Sequence, residues 1–246
     1  MNSTGLLGKI HSIESMGTHD GPGIRAVVFL QGCRFRCLYC HNPDTWPEDG
    51  GTLMTVDALL ERLLRYKPYF MPSGGGVTVS GGEPLLQAAF VTELFRGLKD
   101  AGIHTCLDTA GDYTFLESSL LDQLLQVTDL VLLDIKHTKP HKHRVLTGRS
   151  DIPAPVFARL LKQRSIPVWL RYVVVPGYTD DEAAVSAFKE LAASLSNVQN
   201  IEFLPFHKMG EYKWKALNLP YKLSSVEPPS EEFMARLSKG EQPHPA

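Results

Sequence analysis

Apolar, β-rich runs alternate with amphipathic stretches along most of this 246-residue chain, and that alternation limits the fold more than any other feature. Strands are predicted at residues 24–31 (IRAVVFLQ), 76–84 (GVTVSGGEP), 103–109 (IHTCLDT), 129–136 (DLVLLDIK), 168–176 (VWLRYVVVP) and 201–207 (IEFLPFH). Between them lie helical patterns at residues 56–70, with Thr55 placed to cap, then 88–102, 115–126, about 156–164 and 183–195. Strand, helix, strand repeated in this way belongs to the α/β class, with parallel strands wrapped by helices. A chain of this length, 43% hydrophobic, can bury one large core. It reads as a single domain over 1–246, with its core at about 22–207 and a C-terminal extension at 208–246 whose last stretch, GEQPHPA, is expected to fray.

In parallel α/β folds functional groups gather where the carboxyl ends of strands give way to loops. Polar residues fall there with regularity: Gly81, Gly82 and Glu83 end the second strand, Asp108 and Thr109 the third, Asp134 and Lys136 the fourth. Arg171 sits within the fifth and His207 ends the last. Such placement predicts one shared site on a common rim. Backbone at Gly81 and Gly82 can approach a ligand closely because no Cβ intervenes. Asp108, Thr109 and Asp134 offer the hard oxygen atoms that suit a small cation.

The run QGCRFRCLYCHN puts Cys33, Cys37 and Cys40 within eight residues of one another. Three thiolates can hold a cubane [4Fe-4S] cluster, which normally takes four, and leave one iron open. The fourth cysteine, Cys106, lies in an apolar strand and reads as a buried core residue. Two other readings stay open: a zinc site completed by His41 or a distant histidine, giving a non-catalytic binding module, and a redox pair at Cys37 and Cys40 that leaves Cys33 unexplained. Cysteine is too sparse for a disulfide scaffold, and no signal peptide or membrane-length apolar run occurs, so the reducing cytosol is the expected compartment.

With 25 Lys and Arg against 27 Asp and Glu, the net charge of -2 gives no global attraction for nucleic acid or an anionic membrane. The local exception is KHTKPHKHRVLTGR at 136–149, read as a basic loop and as a candidate contact for a partner or substrate through its proximity to Lys136.

The CxxxCxxC spacing, with Tyr39 between its last two cysteines and GGEP after the following strand, resembles the radical S-adenosylmethionine (radical SAM) superfamily. The segments SIESMGTHDGPGIRAVVFLQGC, YCHNPDTW, GGGVTVSGGEPLLQ, HTCLDTAG, DLVLLDIKH and RYVVVPG extend the resemblance to the glycyl-radical enzyme activases over essentially the whole chain. About 40 residues, none of them cysteine, separate Cys40 from Gly81, which favours the pyruvate formate-lyase subgroup over activases carrying ferredoxin-like inserts.

This resemblance implies a partial (β/α)6 barrel, a [4Fe-4S] cluster on Cys33, Cys37 and Cys40, and S-adenosyl-L-methionine chelating the open iron. It further implies cofactor contacts from Tyr39, Asn42, Gly81, Gly82, Glu83, Asp108, Thr109, Lys136, Arg171 and His207, with a Na+ or K+ ion at Asp108, Thr109 and Asp134. Asp20 is implied in binding the substrate polypeptide. The reaction implied is abstraction of a Cα hydrogen from one glycine of pyruvate formate-lyase by a 5'-deoxyadenosyl radical. One electron per event would come from a flavodoxin-like or ferredoxin-like donor, and the chain would act as a monomer. Activation of another glycyl-radical protein, or radical chemistry on a small molecule, is the alternative.

Overall fold

The computed structural model describes residues 5–239; the fraying expected at 240–246 lies outside them. In chain order the strands are β1 Leu7–Gly17, β2 Arg25–Leu30, β3 Thr52–Thr55, β4 Gly76–Gly81, β5 His104–Thr109, β6 Leu130–Asp134, β7 Val168–Val174 and β8 Val198–Pro205. The helices are α1 Val56–Leu64, α2 Lys67–Ser73, α3 Ala88–Asp100, α4 Ser118–Gln126, α5 Pro140–Thr147, α6 Pro153–Gln163, α7 Glu182–Ala193, α8 Glu211–Ala216 and α9 Glu231–Ser238. The strands form one sheet in the order β3-β1-β2-β4-β5-β6-β7-β8. Strands β2, β4 and β5 pair in parallel, as do β7 and β8, whereas β1 runs antiparallel to both β2 and β3.

All six strands expected from the sequence are present, and helices follow them as the α/β reading requires. The antiparallel pair β1 and β3 is an addition. Strand β1 is rich in His, Ser and Glu and only partly buried, so its apolar signal is weak, while β3 has four residues running straight into α1. Two helical expectations need correction. The helix read over 56–70 is two, because Pro68 lacks an N–H and starts α2 afresh after a break at Arg65 and Tyr66. The basic loop read at 136–149 contains helix α5, started by Pro140 and stopped by Gly148 at φ 77°. Its eight residues bury only His143, Leu146 and Thr147, too few for a visible apolar period.

Residue contacts gather into two compact units. One comprises the chain up to Arg34 with Thr45–Leu132, the other Phe35–Asp44 with the chain from Leu133 onward. In the first, Ala26, Val27, Val28, Val77, Val79 and Leu107 of β2, β4 and β5 are fully buried against Leu59 and Leu63 of α1 and Val91, Leu94 and Phe95 of α3. Such near-continuous apolar strands are what a sheet covered on both faces demands. In the second, Tyr172 of β7, Phe188 of α7 and Phe203 of β8 pack as a ring cluster at centroid distances of 4.8–6.0 Å, Phe203 meeting the other two edge to face. The Tyr172 hydroxyl donates to the Thr179 carbonyl at 3.0 Å.

Arg25, at the start of β2, is fully buried, and its guanidinium is satisfied within the first unit. It donates to Thr78 Oγ1 at 2.6 Å and to the carbonyls of Val77 and Pro22 at 2.8 and 3.0 Å. Thr78 in turn donates to the Asp20 carbonyl at 2.6 Å, so this arginine fixes the turn before β2 onto the sheet. Arg25→Ala leaves these acceptors without donors and opens a cavity. The expected loss is about 3–4 kcal/mol in urea unfolding, and a loss under about 1 kcal/mol would contradict this bracing role.

Candidate functional site

The loop carrying the cysteines leaves β2 and has no regular structure of its own, so its backbone groups must find partners elsewhere. Within the first unit, Gly32 N donates to the Thr45 carbonyl at 2.7 Å and Cys33 N to the Trp46 carbonyl at 3.2 Å. Within the second, Arg36 N and Leu38 N donate to the Thr147 and Leu146 carbonyls of α5 at 2.8 and 2.9 Å. Trp214 Nε1 of α8 donates to the Cys40 carbonyl at 2.8 Å. Among the described residues the cysteines form no disulfide.

In the first unit the turn after β4 presses on this loop. Gly81 has φ 113°, and a Cβ there would meet Leu30 N at 2.2 Å; a Cβ on Gly82 would meet the Gly32 carbonyl oxygen at 2.0 Å and Cys33 Cβ at 3.3 Å. Both glycines are therefore required by the chain's own packing, and Gly82 lies directly against Cys33. Glu83, 1% exposed, is a brace: its carboxylate accepts from Leu85 N at 3.2 Å, Thr109 Oγ1 at 2.5 Å and Ala110 N at 3.0 Å. Burial pushes it up to about 7 despite those donors, and Asp112 adds to the rise. Thr109 also accepts from Gly111 N, and half-buried Asp108 accepts from Ser80 Oγ at 2.6 Å. Asp20 is half-buried in the turn that Arg25 and Thr78 hold.

In the second unit Cys37 and Tyr39 are buried beside Lys136, whose ammonium lies 5.4 Å from the Tyr39 ring centroid. Asp134 binds two cations, accepting from Lys136 Nζ at 2.6 Å through one oxygen and from Arg171 Nε at 2.8 Å through the other. Burial alone would raise Asp134, but Arg171 and Lys136 outweigh it and hold the carboxyl at about 2. Burial pushes the Cys37 thiol up to about 12, opposed by the Lys136 charge. His41 stacks on His207 at 4.1 Å and 29°, and Asn42 Oδ1 accepts from Lys213 Nζ at 2.8 Å.

Among the described residues of this unit, the buried polar atoms without a hydrogen-bond partner include Tyr39 Oη, which faces the Lys136 charge, and His207 Nδ1, as well as His137 Nε2 and Thr138 Oγ1 just after Lys136. Buried orphans are uncommon and point to a missing ligand or water. Tyr39 and His207 are implied as cofactor contacts. By the chemistry of the donor set, three thiols without a disulfide suit an iron-sulfur cluster. Among the described residues no three His, Cys, Asp or Glu side chains, the cysteine triplet included, are grouped for a metal ion, and the His41 ring stacks on that of His207. Cys106 is fully buried in β5, as its apolar setting implied.

Sequence reasoning missed Lys213 and Trp214, whose six-residue helix α8 gives no periodic signal, and the part of α5 in holding the loop. Ser80 and Asp112 were also missed; the strand-end position of Ser80, one residue before Gly81, was the available clue.

Comparison with known proteins places the chain in a family. The family model described as "Radical SAM superfamily" matches residues 27–188. The "Pyruvate formate-lyase-activating enzyme" of Staphylococcus epidermidis is 51% identical over 231 residues, 92% of each chain. "Pyruvate formate-lyase 1-activating enzyme" of Escherichia coli is 48% identical, covering 94% of each. Among solved structures, a domain of pyruvate-formate lyase-activating enzyme from Bacteroides vulgatus matches with TM-score 0.55 and 23% identity, over 67% of this chain and 91% of that one. A radical SAM methyltransferase from Sphaerobacter thermophilus matches with TM-score 0.63 and 14% identity, over 94% of this chain and 74% of that one. These structural likenesses bear on the fold.

Asp134→Asn would leave Lys136 and Arg171 buried without their counter-charge, with an expected cost of about 3–5 kcal/mol at neutral pH. Because the folded-state pKa is depressed from 3.8 to about 2, the contribution is present above 3.8 and lost as pH falls through about 2. The stability gap between the two proteins, measured by denaturant titration at a series of pH values, should therefore narrow by about 2–3 kcal/mol in that window; a gap constant from pH 7 to 2 would contradict the pairing.

Proposed function

The chain belongs to the radical SAM superfamily, and from that premise we propose that it activates pyruvate formate-lyase by installing a glycyl radical. The observation that carries this reading is the cysteine loop, whose backbone is held by its own hydrogen bonds beside the orphaned polar atoms of Tyr39 and His207. Cys33, Cys37 and Cys40 would hold the [4Fe-4S] cluster. When bound, the cluster supplies one electron to S-adenosyl-L-methionine, whose cleavage gives methionine and the 5'-deoxyadenosyl radical that takes a glycine Cα hydrogen.

The chain's own residues bind and orient. Gly81 and Gly82 bring backbone close to Cys33, and Glu83 keeps that turn and the end of β5 in register. Asp108 and Thr109 offer oxygen atoms to the cofactor or to a Na+ or K+ ion; Asp134 can join such an ion only by sharing an oxygen now given to Lys136 or Arg171. Lys136 and Arg171 present positive charge suited to a carboxylate. Tyr39 Oη and His207 Nδ1 offer the unmet hydrogen-bonding capacity described above, and Asn42 is positioned by Lys213. Asp20, in the turn before β2, is assigned to the substrate polypeptide. No proton acceptor is needed, because a hydrogen atom is transferred.

The proposal treats 1–246 as one radical SAM domain acting as a monomer in the cytosol, with a flavodoxin or ferredoxin-like donor. Among the described residues no helix is long and apolar enough to cross a membrane.

The test supplies the reconstituted, reduced protein with pyruvate formate-lyase carrying deuterated glycine. Deuterium should appear in 5'-deoxyadenosine, one per radical formed. Cofactor cleavage without deuterium transfer would reject this partner in favour of another glycyl-radical protein or a small molecule.

A further inference from the structure

Helix α8 has only six residues, yet it and the glycine before it grip the chain from Cys40 to Asp44. Trp214, 5% exposed and 5.4 Å from the Tyr221 ring, donates from Nε1 to the Cys40 carbonyl at 2.8 Å. Gly210 lies so close to His41 that a Cβ there would meet His41 Cα at 2.7 Å. Lys213 then reaches the next two polar side chains. Its Nζ donates to Asn42 Oδ1 at 2.8 Å and to Asp44 Oδ2 and Oδ1 at 2.9 and 3.2 Å. An ammonium has three protons and no lone pair, so these acceptors take its whole donor capacity. Asn42, Asp44 and Lys213 are all half-buried, which spares the ion pair full screening by solvent.

The lysine settles which way the Asn42 amide faces. A group that can only donate meets the amide oxygen, so Nδ2, with its two N–H groups, is turned away from Lys213. This choice is made two residues beyond Cys40, beside a cluster ligand. Resting on the functional reading above, we infer that Lys213 is a positioning residue for the cofactor: it holds Asn42 so that the amide meets S-adenosyl-L-methionine as a hydrogen-bond donor, to an oxygen or ring nitrogen that accepts. Lys213 itself touches no cofactor atom in this role. Without it the amide can turn by about 180°, and one of its two orientations sets oxygen against an acceptor. The Asp44 carboxylate keeps the ammonium in place, so the orientation is set before the cofactor arrives.

The test titrates S-adenosyl-L-methionine into the reconstituted, reduced protein and reads Kd from the change in the cluster's electron paramagnetic resonance signal. Asn42→Asp keeps an oxygen for Lys213 and replaces the N–H donors by a second oxygen. Its Kd should rise at least about tenfold, while amide hydrogen exchange across residues 40–44 in the cluster-free protein stays at the wild-type rate. Lys213→Met should raise Kd about three- to tenfold and speed that exchange, and Lys213→Arg should recover most of both. In an Asn42→Ala background Lys213→Met should change Kd less than about twofold, because the lysine acts through the amide. Asn42→Asp binding as tightly as wild type or tighter, an unchanged Kd in Lys213→Met, or a Lys213→Met effect of full size in the Asn42→Ala background would each overturn the assignment. A Lys213→Met protein that no longer holds the cluster would overturn it as well, since the lysine would then support the loop and not the amide. Each of those outcomes leaves the functional reading standing; a wild-type signal indifferent to the cofactor would sink that reading, and this inference with it.

Discussion

Everything in this protein depends on presenting three thiols from a loop that cannot satisfy its own backbone. A helix or strand closes its hydrogen bonds internally or with a neighbour; the loop from Cys33 to Cys40 closes Cys40 N on the Cys37 carbonyl at 3.1 Å and finds its other backbone partners elsewhere, since unpaired buried groups are costly. The fold answers by lending acceptors: the Thr45 and Trp46 carbonyls to Gly32 and Cys33, and the C-terminal carbonyls of α5 to Arg36 and Leu38. Trp214 supplies the donor that the Cys40 carbonyl needs. Gly82 then closes on the start of the same loop, and Gly81 on the end of β2, so tightly that no side chain fits. The cysteine spacing alone would permit many geometries, and these contacts select one.

Two buried carboxylates show how the surroundings divide labour. Glu83 has only neutral donors and is pushed up to about 7 by burial; Asp134 has two cations and is held at about 2. The first ties together two turns that follow neighbouring strands. The second keeps Lys136 and Arg171 in place. An anionic group entering beside Lys136 and Arg171 meets attraction that is already organised, with no charge left to be drawn in from solvent. Placing Tyr39 and Cys37 against Lys136 adds to that local field.

The α/β order was legible because β2 and β4–β8 are long apolar runs, and a covered parallel sheet leaves them little alternative. Strand β1 was not, since its more exposed positions carry His, Ser and Glu, and it is defined by antiparallel pairing with the next strand, β2, and with β3 some way further along the chain. The triplet and GGEP were legible as motifs. Why Gly82 must be glycine was not, because the reason is the Gly32 carbonyl fifty residues earlier, and the bracing role of Glu83 depends on Thr109 and Ala110 across a strand crossover. Helix α5 was hidden by its charge, and α8 by its brevity. Both matter for the loop they support, which is a long-range relation that local pattern does not record.

The most direct measurement is anaerobic electron paramagnetic resonance of the reconstituted, reduced protein before and after adding S-adenosyl-L-methionine. The account predicts a [4Fe-4S]+ signal that changes on addition, because one iron of a cluster held by three cysteines is open to the cofactor. A cluster signal indifferent to S-adenosyl-L-methionine, or no cluster after competent reconstitution, would contradict it.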